Sequence, residues 1–156
     1  MTDAAEVLER ARRKGWKIAT AESCTGGMIS AALTDVPGSS DVVDRGFVTY
    51  SNDAKIEMLG ILPKTLVDHG AVSEEIAKEM AVGALRRSSA SVTVAVTGIA
   101  GPGGSAFKPE GRVCFGIATF EGCRTETVEF GAIGRQQVRT ATVAHALNLL
   151  ANTLQD

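Results

Sequence analysis

The sequence predicts an α/β fold, a three-layer α/β/α domain with a mixed sheet, on three observations. Short apolar or β-branched runs alternate with segments whose apolar residues recur at helical spacing. Glycines sit at the ends of these segments instead of forming a low-complexity tract. The 156 residues suffice to bury a continuous core. No solenoid-length repeat and no Pro/Ser/Gly-rich linker divides the chain, so one domain over 1–156 is expected.

Residues 3–14 place Ala4, Val7, Leu8 and Ala11 on one helical face and run through Arg12-Arg13-Lys14 to Gly15, a basic last turn followed by a helix stop. The apolar run 16–21 is a buried strand that leads directly into Glu22-Ser23. Thr25 is positioned to cap a helix from about 26 to 33, which ends before the Pro37-Gly38 turn. Ser23 therefore lies at a strand-to-helix junction.

A second strand, 44–51, is rich in Val, Thr, Phe and Tyr, and Asn52-Asp53 can cap the short helix that carries Lys55 to Leu59. Ser73-Glu74-Glu75-Ile76 opens an amphipathic helix through Met80 and Leu85, with acidic residues in its first turn. Val92 to Val96 is a β-branched strand ending in Thr97-Gly98-Ile99-Ala100-Gly101-Pro102-Gly103-Gly104. Residues 113–119 and 125–130 form a hairpin across Glu121-Gly122, and a last helix over 135–154 carries Val138, Val143, Leu147, Leu150 and Leu154. Active residues in such a fold sit in the loops at strand ends.

Composition narrows the functional classes. With 16 basic against 18 acidic residues and no block of like charge, nothing tracks a nucleic-acid backbone. No apolar run approaches bilayer length and the start lacks a secretory pattern, so a cytoplasmic protein without membrane or nucleic-acid partners is expected. Cys24, Cys114 and Cys123 show no metal-type or redox-type spacing and are expected to be free thiols.

Ser23 is a candidate nucleophile because the first N–H groups of a following helix can meet a developing oxyanion, with Gly26 and Gly27 allowing close approach. A plain helix start explains the same local residues. His69 and His145 fall in or near helices, apart from other triad members or ligands. Lys55 offers a different base, since a lysine desolvated in a cleft can take a serine proton. Tyr50 could orient that lysine. Cys24 could act as a thiolate, but neighbours on an extended segment point oppositely, and Cys24 reads as a packing residue. Thr97, Gly98, Gly101, Gly103 and Gly104 could hold a phosphate through backbone N–H groups, although they match neither a Walker A nor a dinucleotide fingerprint. Arg139, and secondarily Arg135, could add positive charge there.

Three motifs, Thr-Ala-Glu-Ser-Cys-Thr-Gly-Gly at 20–27, Tyr-Ser-Asn-Asp-Ala-Lys at 50–55 and Thr-Gly-Ile-Ala-Gly-Pro-Gly-Gly at 97–104, resemble the CinA C-terminal domain family. The similarity extends through Gly70-Ala71-Val72-Ser73 and the Lys108-Pro109, Gly111, Val113 pattern. It implies a nicotinamide-nucleotide amidohydrolase that converts nicotinamide mononucleotide to nicotinate mononucleotide and ammonia. Carried over by motif, the catalytic set falls on Ser23, Tyr50 and Lys55, and the substrate residues on Thr25, Gly26, Gly27, the glycine-rich loop and Arg139. No metal or organic cofactor is implied, the partner is a small-molecule nucleotide, and a homo-oligomer is expected. A non-catalytic nucleotide-binding module is the alternative. The chain departs from the family at Gly104-Ser105-Ala106-Phe107-Lys108, where members carry a longer link. It also starts at the amidohydrolase domain, so the pyrophosphatase activity of longer members is expected to be absent.

Overall fold

A computed structural model describes residues 3–105 and 107–156; Met1, Thr2 and Ala106, the last in the departing link, lie outside the described residues. The elements run α1 (Ala4–Lys14), β1 (Ile18–Glu22), α2 (Met28–Thr34), β2 (Val43–Val48), α3 (Asn52–Leu59), α4 (Pro63–His69), α5 (Glu74–Arg86), β3 (Val92–Gly98), β4 (Arg112–Thr119), β5 (Gly122–Glu129) and α6 (Arg135–Thr153), with one 3-10 turn at Ser39–Asp41.

Local chemistry accounts for most of these boundaries. Asp3 caps α1 by accepting the Glu6 N–H, and Gly15, at φ 70°, closes it in the left-handed conformation. Ser73 caps α5 through the Ile76 N–H. The cap of α3 is Ser51, whose hydroxyl accepts the Ala54 N–H, one residue before the expected Asn52-Asp53. α2 departs further from expectation. Its cap position is Gly27, at φ 109° with no side-chain bond, and Thr25 does not cap it. α4 buries none of its side chains, so no apolar stripe announced it in the sequence.

The five strands form one sheet in the order β2-β1-β3-β4-β5. β1 runs parallel to β2 and β3, while β4 and β5 are antiparallel additions, so the sheet is mixed as expected. Because β1, β2 and β3 are parallel, their carboxyl ends share one edge, and the segments after Glu22, Val48 and Gly98 converge there.

Strand periodicity sorts side chains onto two different faces. Val92, Val94, Val96, Val113, Phe115 and Ile117 join α1, α2 and α6 in one cluster, with Leu8, Ile29, Leu33, Val138 and Leu150. Ala21, Ala95 and Ala118 face α3 and α5 in a second cluster, with Leu59, Ile76 and Met80. The second face carries small residues because α5 lies almost on the strands. A Cβ added to Gly116 would stand 2.5 Å from the Ala77 carbonyl oxygen, an overlap that costs about 1–3 kcal/mol where the backbone has to move.

Candidate active site

The same alternation that sorts the core places the site. Ile18 packs in the α2 cluster and Ala21 in the α5 cluster. At the end of β1, Glu22 points toward α2 and Ser23 toward α3, where its Oγ accepts a hydrogen bond from Lys55 Nζ at 2.9 Å. Ser23 is held by its own N–H, which donates to the Val96 carbonyl of β3 at 3.1 Å. Cys24 turns back into the α2 cluster, as the opposed pointing of neighbours requires.

Lys55 is 1 % exposed. Its Nζ donates to Ser23 Oγ and to the carbonyls of Thr49 at 3.0 Å and Tyr50 at 3.3 Å. All three acceptors are neutral. Burial therefore dominates and lowers the lysine pKa from its usual 10.5. The Cys24 thiol cannot supply a counter-charge at neutral pH, because its own burial pushes it up to about 12. Lys55 also stands in the first turn of α3, where the helix dipole disfavours a cation.

Tyr50 relates to Lys55 differently from the expectation. Its side chain is 60 % exposed, and its hydroxyl accepts from Arg135 at 3.0 Å. Only its backbone carbonyl orients the lysine. Arg135 also donates to the Gly101 carbonyl at 2.6 Å, tying the start of α6 to the glycine-rich loop. Arg139 lies one helical turn on, and its guanidinium donates to the Cys24 and Thr25 carbonyls.

A cleft of about 410 Å³ opens between these parts, lined by Ser23, Cys24, Tyr50, Lys55, Arg135, residues 70–72, 97–105 and Lys108. The expected residues Thr97, Gly98, Gly101, Gly103 and Gly104 all line it. Thr25, Gly26, Gly27 and Arg139 do not. Thr25 is fully buried, with its hydroxyl given to Glu22 at 2.5 Å, and the Gly26 N–H is taken by the Ser23 carbonyl. Within the loop, the Gly103 N–H donates to the Glu110 carboxylate behind it. Lys108, noted in sequence only within a motif, donates to the His69 and Val72 carbonyls and joins two cleft walls.

The residue that sequence reasoning passed over is Glu22. Its side chain is fully buried, and its carboxylate accepts the Ile29 N–H at 2.9 Å, the Ser30 N–H at 3.0 Å and the Thr25 hydroxyl. The remaining early amides of α2, at Met28 and Ala31, bond to Thr25 and Gly27 carbonyls. The helix end that was expected to receive an oxyanion is thus already occupied. Its signal was available in sequence, since a residue adjacent to Ser23 must face α2 if Ser23 faces α3. Among the described residues, no group of three or more His, Cys, Asp or Glu side chains is arranged to hold a metal ion.

Parallel strand ends, a serine–lysine contact and a glycine-rich wall define a three-layer α/β protein with a cleft at its strand tips. The CinA C-terminal domain model matches residues 2–154, and the chain belongs to that family. Nicotinamide-nucleotide amidohydrolase PncC of Escherichia coli (strain K12) is 46 % identical over 146 residues, covering 93 % of this chain and 88 % of that protein. A CinA-like protein of Syntrophobacter fumaroxidans is 48 % identical over 151 residues, covering 96 % of this chain and 35 % of that protein. The chain thus spans about a third of the length of such CinA-like relatives. Among solved structures, the competence/damage inducible protein CihA of Agrobacterium tumefaciens superposes with a TM-score of 0.89 at 51 % identity, covering 96 % of each chain.

Proposed function

We propose that this protein is an amidohydrolase that converts nicotinamide mononucleotide and water to nicotinate mononucleotide and ammonia, with Ser23 as nucleophile and Lys55 as general base. The observation that carries the proposal is a fully buried lysine, without a carboxylate partner among the described residues, 2.9 Å from a serine oxygen at a cleft. A lysine in that setting is driven toward the neutral amine, the form able to accept a proton. The naming of the 46 % identical relative supports the substrate class.

In the first half-reaction the Ser23 proton passes to Lys55 Nζ as Oγ bonds to the carboxamide carbon, and the carbonyl electron pair moves onto oxygen. Collapse breaks the carbon–nitrogen bond, and the Lys55 proton leaves with the nitrogen as ammonia. Water then repeats the sequence on the acyl-enzyme, releasing the carboxylate and restoring Ser23. The amides of α2 are engaged, so the oxyanion is met by the N–H of Cys24, which follows the nucleophile on a cleft-lining residue. Arg135, exposed at the rim and bonded only to neutral oxygens, is better placed than Arg139 for the nucleotide phosphate.

Ammonia release from nicotinamide mononucleotide is the test. Ser23→Ala is expected to lower kcat by roughly three or more orders of magnitude with binding retained. Tight binding without turnover in the parent protein would favour the non-catalytic module, and near-normal turnover in Ser23→Ala would remove the serine from the mechanism.

A further inference from the structure

Two acid–base side chains are fully buried beside the nucleophile, and the reaction above uses only one of them. Glu22 touches neither the cleft nor Lys55 Nζ, yet its bonds reach both halves of the pair. Through its carboxylate it holds Thr25 Oγ1, Ile29 N and Ser30 N, which fixes the turn from β1 into α2 that carries Ser23. Through its carbonyl it accepts the Thr49 N–H at 2.8 Å, and the Thr49 carbonyl is the closer of the two backbone acceptors for Lys55.

We propose that Glu22 is a positioning residue for the Ser23–Lys55 pair, a role that rests on the amidohydrolase reading and extends it to a residue outside the cleft. The acceptor count is the reason a carboxylate stands here. Three donors converge on its two oxygens, and an ionised carboxyl group can serve them all because it has only acceptor sites. A glutamine has the same shape, but its NH₂ would face a donor and break one or two of these bonds. The turn would then relax, the 2.9 Å contact between Lys55 and Ser23 would loosen, and water would reach the lysine.

The experiment uses the full chain with Glu22→Gln, Thr25→Val and Thr25→Ser. Thr25→Val removes one donor to Glu22 while leaving the carboxylate intact, which keeps the test alive if Glu22→Gln does not fold. For Glu22→Gln, kcat is expected to fall about 10- to 100-fold with KM for nicotinamide mononucleotide within about threefold. The acid limb of its pH–rate profile should move to higher pH, because a better-hydrated lysine holds its proton more tightly. Thr25→Val should show a smaller loss in the same sense, and Thr25→Ser should recover most of it. If Glu22→Gln and Thr25→Val lower Tm but leave kcat per folded molecule and the acid limb unchanged, Glu22 is a structural residue only and the proposal fails.

A second readout separates this failure from failure of the amidohydrolase reading. The rate at which a fluorophosphonate labels Ser23, followed by intact mass, needs no knowledge of the natural substrate. If the parent releases no ammonia but labels quickly, and both variants label about tenfold or more slowly, the substrate assignment fails and the positioning role stands. Equal labelling rates in all forms overturn the positioning role.

Discussion

Glu22 and Lys55 sit at equal depth on two neighbouring strand-to-helix junctions, and their surroundings treat charge in opposite ways. Around Glu22, two backbone N–H groups and a hydroxyl all point donors at the carboxylate, at the positive end of α2. Around Lys55, a hydroxyl and two carbonyls accept, but none carries a charge, and burial lowers its pKa. Donors aimed at an anion stabilise a fixed charge, whereas neutral acceptors around an amine leave burial to favour the uncharged form. One junction is built to hold a turn in place and the other to exchange a proton.

The sharpest way to break that contrast is Lys55→Arg, which keeps a cation and hydrogen-bond donors but cannot release its proton. Ammonia release should fall by about three orders of magnitude or more in a folded protein, and activity within tenfold of the parent would show that proton exchange at this position is dispensable. The pH profile of the parent tests the same point without mutation. Activity should rise with pH along a single limb as Lys55 loses its proton, with a midpoint below 10.5; a midpoint at or above that value would mean that burial does not favour the amine.

Stability should carry the same signature. Since the folded-state pKa of Lys55 is lowered, the unfolded chain binds more protons between that value and 10.5, and stability rises with pH through the window. Lys55→Met lacks the titration. Its Tm relative to the parent should therefore improve as pH falls through the window, by about 2–4 °C per kcal/mol for a chain of this size. A difference in Tm that is flat with pH counts against a buried titrating lysine. The smallest effect belongs to Cys24→Ser, since a thiol held protonated by burial has no base to contribute. Activity should stay within about threefold, and a loss of two or more orders would revive thiol chemistry next to Ser23.

Periodicity made much of this legible in advance. β3 alternates Val92, Val94 and Val96 against Thr93 and Ala95, and the valines and Ala95 face different core clusters. The Ser23–Lys55 contact could be anticipated because Ser23 directly follows β1 and Lys55 stands in the helix that follows β2, and these two strands are parallel neighbours. Arg135 and Arg139 show where such reasoning stops. They are one turn apart on one helical face, and which of them reaches the cleft depends on how far α6 extends past the strand tips, a distance no local pattern encodes. The role of Thr25 was hidden for another reason. Its hydroxyl can cap a helix or serve a neighbouring carboxylate, and only the burial of Glu22 decides between these.

The thin face of the sheet has a consequence in evolutionary terms. Where α5 rests on Gly116 and meets the α3 carbonyl of Leu59 at Gly83, a substitution can change almost nothing in volume. On the opposite face, Val, Ile, Leu and Phe can be exchanged in concert as long as the total is kept. Lineages of this fold should therefore drift freely in the layer of α1, α2 and α6, while on the face that carries Lys55 the points of closest approach, Gly83 and Gly116, should stay fixed.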